Sequence, residues 1–481
     1  MIAENNSLIK LPSAWTWTRL EECVDILDGQ RVPINSDERE KRLGGIPYYG
    51  ATGQVGWIDD YLFDEELVLL GEDGAPFLDP YKHKAYIING KSWVNNHAHV
   101  LRVIKEIVSN PLVCYYLNSF NYRDYISGTT RYKLNQAPMR KIPLPLPPLS
   151  EQRRIVAKIE ELFTRLDAGV EAMKKIQLQL KRYRQSVLKS AFEGRLTSEW
   201  REAHKGELEP ASVLLEKIKA GRKKSGKHKE LSPLDTADLP ELPEGWVWTT
   251  MIELTESMKN GIYKPPQFYA EFGVACLRMY NIEDGSIVWK DIKRMKLTQD
   301  EIKEYELLEG DILVNRVNSR ELVGKAAPIP SGLECCVYES KNIRLRVFAQ
   351  YVASKYISHW LQLSGQKYFN RNAQQTVGMA SINQQQLGAI PLPFCSLIEQ
   401  QKIGEEIERC FSVADNIERT IEQSLKQAER LCQSILKRAF EGQLVPQDPS
   451  DEPAEKLLER IRAEKAKNQT NTKRRRAVNA K

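Results

Sequence analysis

The run QSVLKSAFEGRL (Gln185–Leu196) returns 248 positions later as QSILKRAFEGQL (Gln433–Leu444). It closes a longer match, because Ile142–Leu196 and Ile390–Leu444 align without a gap, with roughly 23 identities in 55 positions. That match opens with IPLPLPPLSEQRRI (Ile142–Ile155) against IPLPFCSLIEQQKI (Ile390–Ile403). Working outward, EPASVLLEKIKA from Glu209 matches EPAEKLLERIRA from Glu452, and LPSAWTWT from Leu11 matches LPEGWVWT from Leu242. The starts are offset by 231 positions and the IPLP motifs by 248, so the segment between them is 17 residues longer in the second copy. Its interior shows no obvious match. Repeats of this size exceed solenoid units and point to two domain-sized copies in a pseudo-two-fold arrangement.

The constant parts read as helices. The prolines up to Pro148 cannot lie inside a helix, and Ser150-Glu151 supplies an N-cap followed by an acid at the positive end of the dipole. Apolar residues then recur at steps of three and four through Ile155, Ile159, Leu162, Leu166, Val170, Met173, Ile176, Leu180 and Val187. In the copy they run through Ile403, Ile407, Cys410, Ala414, Ile417, Ile421, Leu425, Ala428, Leu431 and Ile435. A narrow stripe over about six heptads predicts a coiled-coil seam. Gly194 and Gly442 are placed as C-caps. Helices of about 43 residues would each be near 65 Å long. We expect them to pair with each other, antiparallel, within one chain.

Composition sets further bounds. At 481 residues there is room for two or three domains, and the eight cysteines include no CxxC pair, so neither a disulfide framework nor a zinc site is expected. The N-terminal stretch lacks the order of a secretory leader and no run reaches the length of a membrane helix; the expected location is cytoplasmic. The net charge of +6 is concentrated in two runs, Lys217–Lys229 and Lys465–Lys481, with seven basic residues each. Without those 14 charges the remainder is mildly acidic, near −8, so charge alone does not mark the large segments as nucleic-acid binders.

Two variable segments, each introduced by LP-x-x-W-x-W and closed by IPLP…EQ, a long helix and S-[VI]-L-K-x-A-F-E-G-x-L, together resemble the specificity subunit of type I restriction-modification systems, across nearly the whole chain. The resemblance implies an α+β fold with two mixed α/β target-recognition domains separated by two long antiparallel helices. The expected boundaries are 1–141 and 240–389 for the two recognition domains, and 142–196 and 390–444 for the conserved helical regions. A short helix with a basic linker is expected over 197–239, and a short helix with a basic tail over 445–481. It further implies a bipartite double-stranded DNA target, one half-site per domain, with the helices fixing the spacer. Two adenine-methylating subunits using S-adenosylmethionine and two ATP-driven nuclease subunits would dock on this non-catalytic chain. No cofactor or metal is expected in the chain itself. Candidate docking residues are those of the repeated motifs: Glu151, Gln152 and Phe192, with Glu399, Gln400 and Phe440.

Candidate DNA contacts lie in the inserts. In the first, WVNNHAHVLR carries Asn95, Asn96, His97 and His99, compact side chains suited to base edges, and Thr129, Thr130, Arg131 and Tyr132 form a loop before the conserved exit. Arg131 suits a guanine or a phosphate equally. In the second, Arg278, Asn315, Arg316, Asn318, Ser319, Lys341 and Arg344 gather amide and guanidinium groups in turn-rich sequence, and Gln374-Gln375 stands in the exit loop. Gly50, Gly53 and Gly56 lack the Lys-Ser/Thr and helix of a phosphate cradle. No Asn-Pro-Pro-Tyr, Asp-Pro-Pro-Tyr or GxGxxG-after-strand motif is present. Two rival readings follow from other features: a metal-dependent nuclease built on Glu72, Asp73, Asp79 and Lys82, with Lys84 nearby, and a coiled-coil adaptor without DNA specificity.

Overall fold

A computed structural model describes residues 10–224, 234–320, 322–365, 368–369, 374–376 and 379–463. The second basic run therefore lies outside the described residues, and the first is described as far as Lys224. The chain divides into two compact units, Met1–Lys175 with Ile421–Lys481, and Ile176–Thr420.

In the first unit a four-stranded antiparallel sheet orders Val24–Ile26, Ala98–Val103, Leu67–Gly71 and Ala85–Ile88. Leu67–Gly71 is buried along its whole length, as an inner strand covered on both faces should be. A second sheet runs Gly53–Ile58, Ile46–Gly50, Lys91–Val94, Phe63–Asp64, with one parallel pairing, Tyr48 opposite Trp93. The second unit repeats the plan. Thr255–Asn260, Asn342–Val347, Ile312–Asn315 and Ala326–Pro328 form the antiparallel sheet in the same 1-4-2-3 order. Tyr269–Ala270, Lys293–Met295, Val274–Leu277 and Cys336–Tyr338 form the mixed one, again with a single parallel pairing. Inserts with no evident sequence match thus share the order of the antiparallel sheet and a three-strand core of the mixed one, whose fourth strand differs, Phe63–Asp64 lying beside Lys91–Val94 but Tyr269–Ala270 beside Lys293–Met295.

The IPLP motifs are strands. Pro143–Leu146 pairs antiparallel with Thr16–Arg19, Trp17 facing Pro145, and Pro391–Phe394 pairs with Val247–Thr250, Trp248 facing Pro393. Such a two-stranded ribbon tolerates proline at alternate positions because only one edge needs donors. The alternation also buries Leu144 and Leu146 in one copy and Leu392 and Phe394 in the other. Each domain is therefore closed where its chain enters and leaves.

The long helices span Leu149–Phe192 and Leu397–Phe440, 44 residues each. In the first unit Ile155 and Ile159 share a core with Ile435, Leu436, Ala439 and Phe440. In the second, Val187, Leu188, Ala191 and Phe192 share one with Ile403, Ile407 and Cys410. Start meets end in both units, so the pairing is antiparallel and within the chain. The seam is thinner than the stripe predicts: Ile176, Ile417 and Leu431 are exposed, because a two-helix ribbon buries only the residues facing its partner.

Gly194 and Gly442 both have φ +71°, and a Cβ on them would overlap the Cγ of Pro243 and Pro12 respectively. The repeated glycine thus ends its helix in the left-handed region and seats the proline of the LP-x-x-W start. The short tail segments complete these joints. Ala211, Leu214 and Ile218 of Ala211–Lys224 pack in the Trp246 core, and Ala454, Leu457, Leu458 and Ile461 of the helical segment 454–463 pack in the Trp15 core. The Ala211 amide donates to the Gly245 carbonyl and the Ala454 amide to that of Ala14, both at 3.0 Å.

Candidate nucleic-acid interface

In the first unit the hairpin tip Gly50–Thr52, Asp73–Ala75, Asn95, His97 and Thr130–Tyr132 line an open cleft of about 570 Å³. Two strand ends hold it in shape: the Asn95 amide donates to Tyr49 O at 3.0 Å, and the Glu72 amide to His97 O at 2.8 Å. The exit loop is tied in by Gly74 N to Tyr132 O at 3.1 Å and Leu134 N to Glu72 O at 2.8 Å. Asn96, Thr129, Thr130 and Arg131 are exposed, and His97 and Tyr132 half-buried. Asn95 is buried instead, its Oδ1 accepting the His97 amide at 2.8 Å, so it shapes the turn rather than offering a free amide.

His99 is likewise structural. It is 1% exposed, with Nδ1 at 2.6 Å from Asp28 Oδ2 and Nε2 at 2.8 Å from Leu134 O. Burial would raise the Asp28 carboxyl, but the His99 hydrogen bond and charge, the Val100 amide and Arg31 together hold it below the usual carboxylate range. Asp28, Glu72 and His99 lie close enough to share a cation. Arg31 already reaches Glu72 at 2.7 Å and Lys133 reaches it at 3.3 Å, so the cluster has its positive charge and works as an ionic clasp on the exit strand.

The nuclease arrangement does not form. Glu72 belongs to that clasp, Asp73 pairs with Arg131 at 2.6 Å, and Asp79 pairs locally with Lys82 at 3.6 Å. Lys84 is buried, its ammonium within 3.4 Å of Asn118 O, and burial pushes it down to about 8.

The asparagine-rich turn of the second unit turns inward. Asn315 donates to Asn342 Oδ1 at 3.2 Å, Asn318 donates to Asn315 Oδ1 at 2.9 Å, and Arg316 Nη1 donates to Ser340 O at 3.2 Å. Arg344 is buried, with Nη1 on Glu306 O at 2.8 Å. These groups satisfy buried backbone and each other, so Asn315, Asn318 and Arg344 leave the set of base-reading candidates, and the Arg316 guanidinium also bonds backbone. Lys341 remains exposed, and Ser319 and Arg278 half-exposed. Gln374 and Gln375 lie on strand Gln374–Thr376, their side chains outside the described residues. Sequence reading missed exposed aromatics that carry cations here: Lys296 lies over Phe272 at 4.7 Å and Arg278 over Tyr280 at 5.4 Å. Both rings stand more than half exposed, a combination suited to a nucleic-acid surface.

The candidate docking residues are corrected too. Glu151 accepts Trp15 Nε1 at 2.9 Å and Gln447 Nε2 at 2.6 Å, while Glu399 accepts Trp246 Nε1 at 2.8 Å, Thr197 Oγ1 at 3.0 Å and Arg201 Nε at 2.7 Å. Gln152 bonds the Ile107 and Pro147 carbonyls, and Gln400 those of Tyr351 and Cys395. Phe440 packs against Tyr116, and Phe192 against Tyr356 and Trp360. All six are buried and hold the domain to its helix; none presents a surface to a partner.

The chain matches the family model described as the type I restriction modification DNA specificity domain twice, over residues 12–182 and 243–427, which together make up most of its length. It belongs to the type I restriction-modification specificity family. Among similar proteins of this family, the EcoDI specificity subunit of Escherichia coli is 25% identical over 478 residues, covering 95% of this chain and 96% of that one. The StySPI specificity subunit of Salmonella potsdam is 27% identical over 376 residues, covering 75% of this chain and 73% of that one. The fold matches the HsdS subunit of Thermoanaerobacter tengcongensis with a TM-score of 0.51 at 16% identity, over 90% of this chain and 98% of that one. A chain from a solved type I restriction-modification system, described for its complex assembly and conformational transition, matches with a TM-score of 0.65 at 17% identity, over 91% and 100%. The family is one of specificity subunits, not of catalysts; neither the nuclease nor the adaptor reading has support. Among the described residues no helix is long and apolar enough to cross a membrane.

Burial raises the Glu151 carboxyl above the ordinary range, with Trp15 and Gln447 opposing it. A carboxyl whose folded-state value is raised adds stability below its unfolded pKa and loses it as pH rises through the folded one. Glu151→Gln, which cannot ionise, should therefore gain on wild type in melting temperature as pH rises through and above the ordinary glutamate range. A constant difference would show that Glu151 titrates normally.

Proposed function

We propose that this chain reads a bipartite double-stranded DNA target, one half-site per domain, and that the paired helices fix the spacer between the halves. The observation that carries this is the repetition of one domain plan around variable loops, each copy fastened through the same Trp–Glu bond to one of two equal helices. The duplicated helical frame accommodates two copies of one partner. We assign these as two methyltransferase subunits that modify an adenine in each half using S-adenosylmethionine. Two ATP- and Mg-dependent nuclease-translocase subunits complete the assembly, which works on DNA in the cytoplasm. The chemistry and its cofactors belong to the partners, and this chain supplies the address.

Deleting a matched pair of heptads, Val170–Ile176 and Glu422–Ala428, would shorten both helices by about 10.5 Å and should reduce the preferred spacer by roughly three base pairs. Removing only one heptad should disrupt helix pairing. An unchanged spacer in the double deletion, measured by binding to duplexes of graded spacer length, would contradict the proposal.

A further inference from the structure

Arg131 is held as a pointer. Its Nε lies 2.6 Å from Asp73 Oδ1 in an ion pair, while its side chain remains 62% exposed at the mouth of the first-unit cleft. Two glycines bring it there. At Gly74, φ +76°, a Cβ would sit 3.3 Å from Arg131 Nε, and at Gly128, φ +93°, a Cβ would overlap the Arg131 carbonyl. His97 Nδ1 lies 3.5 Å from the other Asp73 oxygen. With the Nε edge drawn to Asp73 by this ion pair, the far end of the guanidinium is the Nη1/Nη2 pair, whose two donors match the O6 and N7 acceptors on the major-groove edge of guanine.

The carboxylate decides between the two ligands an arginine suits. A phosphate docking on Arg131 would also meet the Asp73 charge, whereas an uncharged base edge would not. Resting on the reading above, we propose that the Asp73–Arg131 pair reads one guanine in the half-site bound by the first domain, with Asp73 as the positioning residue. Arginine is required because a lysine ammonium cannot present two donors in a fixed fork.

The test uses the complex of this chain with its methyltransferase partner, on duplexes bearing the motif defined by mapping methylated adenines. That motif should contain a guanine in the first-domain half. Arg131→Ala should weaken binding roughly 10- to 100-fold, the value of a bidentate base contact, and relax the requirement at that one position. Replacing that guanine by 7-deazaguanine should weaken the wild type and leave the Arg131→Ala complex unaffected. Asp73→Asn should lower discrimination at the same position. A uniform loss over all sequences, with the salt slope reduced by about one, would make Arg131 a phosphate contact and overturn the inference. So would a half-site without guanine, or indifference to 7-deazaguanine at every guanine in it. A wild-type complex with no defined motif would instead overturn the specificity reading, and the inference with it.

Discussion

Glu399→Ala is expected to destabilise the second unit by about 3–5 kcal/mol, the range for removing one partner of a buried ion pair. The Glu399 carboxylate is 2% exposed and takes three hydrogen bonds, one of them from the largely buried Arg201. Truncation leaves that cation, the Trp246 indole N–H and the Thr197 hydroxyl without their acceptor, and loosens the joint between domain and helix. Glu151→Ala removes the equivalent carboxylate from the first unit. There the donors are the neutral Trp15 and Gln447, and Arg154 turns to Asp451 at 2.7 Å instead. Its loss should be nearer the about 1–3 kcal/mol of an unsatisfied buried donor. Denaturant titration of the two variants compares the joints, and a Glu399 variant no weaker than the Glu151 one would show that Arg201 does not depend on this carboxylate.

How much of this was legible in sequence follows from what each residue answers to. The long helices and their capping glycines were readable because period and caps are local properties, and both copies repeat them. The IPLP strands were half-readable. Proline excludes helix, but the pairing of Pro145 with Trp17 is set by a contact more than a hundred residues away in sequence. The shared sheet plan of the inserts was invisible, since different apolar residues satisfy the same pleat.

At the candidate interface the errors share one cause. Asn315, Asn318 and Arg344 carry groups that read DNA well, yet the same groups serve buried backbone equally well, and only burial separates the two uses. Glu151, Gln152, Glu399 and Gln400 recur in sequence because each domain needs the same fastening to its helix. Arg131 was visible as a loop arginine, whereas its partner Asp73 stands 58 positions earlier and meets it only in the folded unit.

The second large effect concerns specificity. Exchanging Leu11–Lys141 for the corresponding segment of a relative replaces the first recognition loops while leaving Ile142 onward, and so the Pro143–Leu146 strand, the helix and its Glu151 and Gln152, in place. The incoming domain supplies its own Trp-x-Trp strand to pair with Pro143–Leu146. Discrimination of about 1–3 kcal/mol per base pair, summed over a half-site, suffices for one half of the target to be replaced outright.

Mapping methylated adenines across DNA modified by the wild-type and exchanged chains, each co-expressed with the cognate methyltransferase, tests this most directly. One half of the motif should change completely, with the other half and the spacer length unaltered; a change in both halves, or in neither, would contradict the assignment of one half-site to each domain.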